Sequence, residues 1–144
     1  MKKAKINLLA LSFAVLLIFS LTGCKDNSAD PTLLWENAAY TENTSFGEGE
    51  KTVQVEVKLE NNSVTFTIKT DAEKLGDILL EHNIVEGEIA QYGLYIKSAN
   101  GIGADYDKDG AYWSLSKNGE YLLTGADQTV IADGEHYELT YTKG

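Results

Sequence analysis

Hydrophobic positions alternate most regularly between Thr52 and Leu59. Val53, Val55, Val57 and Leu59 fall on one side, and Gln54, Glu56 and Lys58 on the other. A period of two is the pattern of a strand with one buried face. Glu60 to Ser63 reads as a hairpin loop, and Val64, Phe66 and Ile68 alternate with Thr65, Thr67 and Lys69 in the returning strand. The period then changes. Leu75, Ile78, Leu79 and His82 recur at i, i+3, i+4 and i+7, which gives a helix one apolar face. Thr70-Asp71-Ala72-Glu73 has the form of a capping box, with Thr70 as N-cap and Glu73 reaching back to it. The helix is predicted to end near His82, with Asn83 as its C-cap.

The flanks are less regular. Between Leu33 and Thr44 the apolar anchors are Leu34, Trp35 and Tyr40, and Tyr40-Thr41 suits a short strand. Phe46-Gly47-Glu48-Gly49 reads as a turn. After the helix, strands are predicted at Tyr92–Ser98, Ala111–Ser116, Tyr121–Thr124 and His136–Thr142, with turns at Asn100-Gly101, Gly103 and Asp133-Gly134. Lys117-Asn118-Gly119-Glu120 closes a hairpin, and Asn118-Gly119 suits a type I′ turn. Hairpin, helix, then further strands make an α+β pattern. The expected fold is a β-grasp-like mixed sheet with one helix packed on one face.

The start of the chain has a different character. Lys2, Lys3 and Lys5 precede an apolar run from Leu8 to Phe19. That run is too short to span a hydrocarbon core of about 30 Å as a stable helix, and fits the apolar segment of a signal peptide. It ends in Leu21-Thr22-Gly23-Cys24, which resembles the bacterial lipobox. Residues 1–23 are therefore expected to be a lipoprotein signal peptide. Cys24 would be the lipidated N-terminus, residues 24–32 a polar tether, and residues 33–144 the folded domain. Two acyl chains at about 0.8 kcal/mol per buried CH₂ suffice for stable anchoring. The expected place is the extracytoplasmic face of a cell membrane, of a Gram-positive type.

Charge narrows the partners. The chain has 12 lysines, no arginine and 22 acidic residues; from Lys25 onward nine lysines face all 22 acids, a net charge of −13. A surface of that sign repels polyanions, so nucleic acid is not an expected partner. Cys24 is the sole cysteine, which excludes a disulfide scaffold.

The candidate chemistry is sparse. Asp105-Tyr-Asp107-Lys-Asp109-Gly110 has the D-x-D-x-D-G spacing of a calcium loop, in which oxygens at alternate positions converge and glycine makes the sharp turn. Position 12 is Ser116 instead of a bidentate glutamate. The loop is thus a weak calcium candidate through Asp105, Asp107 and Asp109, or an acidic solvated turn. His82 and His136 have no zinc ligands at local spacing. No Gly-x-Ser-x-Gly elbow or glycine-rich phosphate loop is present, and the chain reads as a non-enzyme that requires no cofactor. Tyrosines and tryptophan crowd the C-terminal half, offering wide, flat contact with polar tips.

Val64-Thr-Phe-Thr-Ile68, Gly76-Asp-Ile-Leu-Leu80, Tyr92-Gly-Leu-Tyr-Ile96, Asn100-Gly101, Tyr112-Trp113, Asn118-Gly119 and Asp133-Gly134-Glu135 together resemble the domain at the C-terminus of transcobalamin and intrinsic factor. The same family, DUF4430, occurs in exported bacterial proteins. The resemblance covers Val64 to Lys143 and implies a β-grasp-like fold. It also implies a ligand-contacting role for the hairpin residues Tyr112, Trp113 and Leu115, with cobalamin as a possible ligand, captured for a vitamin importer. The alternative is a surface protein- or glycan-interaction module that uses the same aromatic residues. A plain core role for Trp113 is the competing reading of that residue.

Overall fold

The computed structural model describes residues 30–144. The expected signal peptide and Cys24 lie outside the described residues. Asp30 caps a one-turn helix, α1 (Pro31–Trp35), by accepting a hydrogen bond from the Thr32 amide at 2.9 Å. Pro31 occupies the first turn, where a missing N–H costs nothing. The short strand of this region is β1 (Thr44–Phe46). Tyr40-Thr41, expected to be a strand, is not one. Tyr40 is held instead by Asn100, whose amide group donates to the Tyr40 carbonyl and accepts from its N–H.

The alternating segments form β2 (Lys51–Leu59) and β3 (Asn62–Thr70), paired antiparallel from Lys51–Thr70 to Leu59–Asn62. All seven expected inward residues, from Val53 to Ile68, are fully or almost fully buried. The loop is tighter than expected, a two-residue turn at Glu60-Asn61.

The predicted capping box does not form. Thr70 stays in β3, because it pairs with Lys51, and its hydroxyl accepts from the Ala72 amide two residues on. Helix α2 begins later, at Leu75, and runs to Glu81. A returning loop takes the place of a side-chain cap. The Leu75 amide donates to the Thr129 carbonyl, and the Ile131 amide donates to the Glu73 carbonyl. The helix end fits expectation better. Asn83 is left-handed, its amide bonds to the Leu80 carbonyl, and the Ile84 amide bonds to the Leu79 carbonyl. That pair of bonds is a Schellman closure. Leu75, Ile78 and Leu79 face the core, and His82 stacks on Phe46 with ring centroids 5.2 Å apart.

The helix carries the chain to a second, three-stranded sheet: β4 (Val85–Ala90), β5 (Gly93–Ala99) and β6 (Ile102–Gly103). Strand β4 was not expected from the sequence, and Gly103 is a strand residue, not a turn. Asn100-Gly101 makes the expected turn between β5 and β6, both residues having positive φ. A one-turn helix, α3 (Tyr106–Asp109), leads into β7 (Ala111–Lys117). The Asn118-Gly119 turn, again with both φ positive, joins β7 to the two-residue β8 (Glu120–Tyr121). A 3-10 turn at Ala126–Gln128 precedes β9 (His136–Lys143).

The large sheet has the order β1-β3-β2-β9-β7-β8. Strand β9 enters between the first hairpin and β7, parallel to β2 and antiparallel to β7. This is the β-grasp-like arrangement that the order of elements implied, enlarged by the small sheet and two one-turn helices. Among the described residues, no helix is long and apolar enough to cross a membrane.

Helix α2 meets the 3-10 turn at Gly76. A Cβ built there would lie 2.9 Å from the backbone N and Cα of Asp127. Glycine costs a helix about 1 kcal/mol relative to alanine, but overpacking against fixed backbone costs about 1–3 kcal/mol. Gly76→Ala is therefore expected to lower stability despite its better helix propensity, by about 1 kcal/mol, read as a reduced urea midpoint with unchanged slope.

Candidate functional site

Strand β7 sits at the junction of the two sheets. Trp113 and Leu115 point to its core side, as do Tyr141 and Leu139, their partners on β9. Trp113 is only 6% exposed. Its indole N–H donates to the Ile102 carbonyl on β6 at 2.9 Å, and its ring meets Tyr141 edge-on. Trp113 is thus a core residue that fastens the small sheet to the large one. Leu115 is half-buried and Tyr112, on the alternate side of the strand, is also half-buried.

These three residues nevertheless share one cleft. It has a volume of about 180 Å³ and is bounded by Leu94, Tyr95 and Ile96 of β5, by Tyr112, Trp113 and Leu115 of β7, and by Thr124, Gly125 and Ala126 of the loop after β8. The sequence pointed to the β7 residues. It missed the β5 wall and the loop, which are brought there by Trp113, tying β6 to β7, and by Asp127, holding Leu94. The loop is set by Asp127, whose Oδ1 accepts from the Leu94 amide at 2.8 Å. That bond, with a second from Gln128, holds the Asp127 carboxyl below its usual range. Large apolar side chains stand exposed on the framing segments: Ile89 and Tyr92 near the β4–β5 turn, Tyr121 on β8 and Leu123 beyond it.

A wider groove of about 580 Å³ lies beside α3, lined by Tyr95, Lys97, Asp105, Tyr106 and Lys108 among others. Tyr95 borders both hollows. The sequence-predicted calcium loop forms one wall of this groove. Asp105 acts as the N-cap of α3, its Oδ1 accepting from the amides of Asp107 and Lys108, and Gly110 closes the turn in the left-handed region. Asp107 and Asp109 fall within the helical turn. Among the described residues, no group of three or more His, Cys, Asp or Glu side chains is placed to hold a metal ion.

The opposite face of the central strands is polar. Gln54 and Glu56 of β2 lie beside His136 and Glu138 of β9. At the start of β9, on the opposite side with Tyr137, Glu135 is held by the Lys117 ammonium and the Tyr137 hydroxyl, and it accepts from the Ala132 amide. Burial pushes the Glu135 carboxyl up, but Lys117, Tyr137 and the amide outweigh it and leave it below its usual range. Burial, together with the Glu135 charge, raises the Tyr137 hydroxyl well above its ordinary value.

The comparisons with known proteins fit this architecture. The family model described as "Domain of unknown function (DUF4430)" matches residues 72–143. Transcobalamin-1 of Homo sapiens is 31% identical over 83 residues, which is 58% of this chain and 18% of the relative. The chain thus spans under a fifth of that relative's length. Among solved structures, a candidate metal binding protein from Ruminococcus gnavus ATCC 29149 is 38% identical with a TM-score of 0.63, covering 66% of this chain and 99% of that one. Haptocorrin in complex with Cbi shares the fold at a TM-score of 0.50 and 23% identity, over 68% of this chain and 26% of that one.

Two outcomes are expected here. Trp113→Phe keeps an aromatic side chain, though a smaller one, but leaves the Ile102 carbonyl without its donor, which costs about 1–3 kcal/mol for a buried group; equilibrium unfolding reads it. Glu135→Gln exchanges charge-assisted hydrogen bonds for neutral ones, at a cost of about 1 kcal/mol near neutrality. Because the folded carboxyl is lowered from its ordinary 4.5, its contribution is complete above that value and is lost as pH falls through the lowered one. The stability difference between wild type and Glu135→Gln should accordingly vanish in acid, measured by urea unfolding across a pH series.

Proposed function

Since the chain belongs to the DUF4430 family, we propose that it binds a small, flat, amphipathic ligand of the corrinoid class in the cleft between β5 and β7. The observation that carries this reading is the cleft itself. Leu94, Ile96, Trp113 and Leu115 offer apolar contact, and Tyr95 and Tyr112 add rings with polar tips. Its similarity to transcobalamin-1 supports a cobalamin-like ligand.

Size sets the mode of binding. Ligand pockets usually measure about 300–1,000 Å³, so a cleft of about 180 Å³ holds one edge or face of such a ligand. The groove beyond Tyr95 would receive the remainder. An open site of this kind gives modest affinity unless a partner covers it. The lipobox-like Leu21–Cys24 supports the proposal that the protein is anchored by lipid on the cell surface and serves as an accessory to a vitamin importer. No catalytic role is proposed. The exposed Tyr92, Tyr121 and Leu123 favour a second reading, in which the same rim contacts a protein or glycan.

The test is titration of the purified full chain with cobinamide and cobalamin, following tryptophan fluorescence and heat. Saturable binding should weaken at least about tenfold in Leu115→Asp, which places a charge in the apolar cleft at a cost of more than 1.4 kcal/mol. Tyr95→Ala should weaken it as well. Trp113→Ala is unsuited to this purpose, because it would loosen the junction between the sheets. A lack of binding at millimolar ligand overturns the corrinoid reading.

A further inference from the structure

We propose that Asp127 is the positioning residue of the cleft between β5 and β7: its carboxylate latches the far end of the β4–β5 hairpin to the body of the domain, and release of that latch lets the hairpin swing away from β7 and admit a ligand. The proposal rests on the reading of this cleft as a ligand site and says how the site opens.

The hairpin is fastened unequally at its two ends. At the Asn100 end, the Asn100 amide donates to the Ile84 carbonyl at 2.8 Å, the Asn100 side chain holds Tyr40, and the Trp113 indole holds Ile102. Residues 87–96 pair with one another across the hairpin. Among the described residues, the bond from the Leu94 amide to Asp127 Oδ1, at 2.8 Å, is the one hydrogen bond that leaves this stretch for the rest of the chain. Apolar attachment is thin as well. Glu86 to Ala90 are exposed, and the residues turned inward are Leu94 and Ile96, each 8% exposed. Both line the cleft. A segment with few buried contacts opens more readily than its surroundings. Between the two ends the register shifts at Glu86/Gly87, a bulge of the kind that bends a strand.

The other side of the latch is fixed. Asp127 lies in the 3-10 turn Ala126–Gln128, and Ala126 is buried. The same segment closes the start of α2, where the Leu75 amide donates to the Thr129 carbonyl and the Ile131 amide to the Glu73 carbonyl. The Thr129 hydroxyl donates to the Gly125 carbonyl at 2.9 Å. The turn is thus part of the body, and the hairpin is the part that moves.

Two glycines make room for the carboxylate. A Cβ built on Gly93 would lie 2.6 Å from Asp127 Oδ1, and one on Gly125 would lie 2.7 Å from it. The carboxylate is seated between the hairpin and its own loop, and its charge strengthens the bond to the Leu94 amide. With the latch closed the cleft measures about 180 Å³, below the usual range of about 300–1,000 Å³ for a ligand pocket. A swing of the hairpin joins the cleft to the groove beside α3, because Tyr95 borders both. The ligand then covers the apolar surface of Leu94 and Ile96 that opening exposes.

The test uses two variants. Asp127→Ala removes the latch. Gly125→Ala keeps the charge but puts a methyl group where Oδ1 lies, which displaces the carboxylate from the Leu94 amide. Gly125 has φ −63°, so alanine is unstrained there, and its other neighbours, the Leu94 amide and the Tyr92 carbonyl, stay at 3.4 and 3.5 Å. Spin labels on Gln91→Cys and Glu120→Cys, in the full chain with Cys24→Ser, report the spacing between the β4–β5 and β7–β8 turns. Both variants should add a longer-distance population. In stopped-flow fluorescence with cobinamide both should bind and release faster, with association accelerated at least about threefold, because the ligand enters through the open fraction. Asp127→Asn, which keeps an acceptor, should fall between them and the wild type. A purely structural role would speed release or lower the urea midpoint and leave association unchanged; that result overturns the proposal, as does an unchanged label distance in both variants. If the wild type binds no cobinamide, the corrinoid reading fails and the label distances alone decide the latch.

Discussion

The structure depends on the parallel pairing of β2 with β9. Five residues of each strand are in register, from Gln54–His136 to Lys58–Thr140. Everything between them must leave the sheet and come back to it. The chain does so through α2, the small sheet and β7, and β9 completes the sheet by lying between β2 and β7. Val55 and Val57 then face Tyr137 and Leu139 across one side of that seam, all buried. The other side receives Glu56, His136 and Glu138. One backbone constraint therefore creates both the apolar interior and the polar surface opposite it. Non-local closure of this kind pays its loop entropy before it is rewarded by contacts.

The second organising contact is a pair of hydrogen bonds. The small sheet has three strands, the last only two residues long, and is too small to be stable alone. Trp113 joins it to the large sheet through the Ile102 carbonyl, and Asp127 joins it through the Leu94 amide. The cleft between β5 and β7 is the gap left between these two fastenings. Its apolar lining is core that the fastenings do not fully cover. This explains how Trp113 can be a core residue and still border a candidate binding site.

What the sequence made legible was local. Alternation from Thr52 to Ile68 specified two strands and their inner faces, because one face is buried and a slip would turn every side chain over. Asn100-Gly101 and Asn118-Gly119 specified turns, since both need left-handed backbone at two successive residues. Strand β4 was hidden, because only Val85 is buried and Glu86 to Ala90 are exposed, leaving no alternation to read. The capping box at Thr70 failed for a tertiary reason: pairing with Lys51 holds Thr70 in the strand, and the Thr129–Ile131 loop satisfies the helix start. Asp105 to Gly110 matched a calcium-loop spacing, yet the same residues satisfy the needs of a one-turn helix, an Asp N-cap and a glycine C-cap. Tyr112, Trp113 and Leu115 were found by resemblance, but the β5 wall opposite them was not. Glu56 and His136 are 80 residues apart, and only the sheet topology makes them neighbours.

The grip of Asn100 on Tyr40 has a mechanical meaning. Asn100 is 1% exposed, and its side chain makes two hydrogen bonds to the Tyr40 backbone at 2.8 and 2.9 Å. Its own carbonyl accepts from the Ala39 amide. A pull on the chain from the residue-30 end reaches these three bonds before it reaches β1. Leu34 and Trp35, packed against the core, come first on that path; the Asn100 turn follows, and the β2–β9 seam lies farther along. The Asn100 turn thus anchors the start of the domain to the small sheet, so tension from that end is shared with β5 and β6 before it reaches the strands of the central sheet.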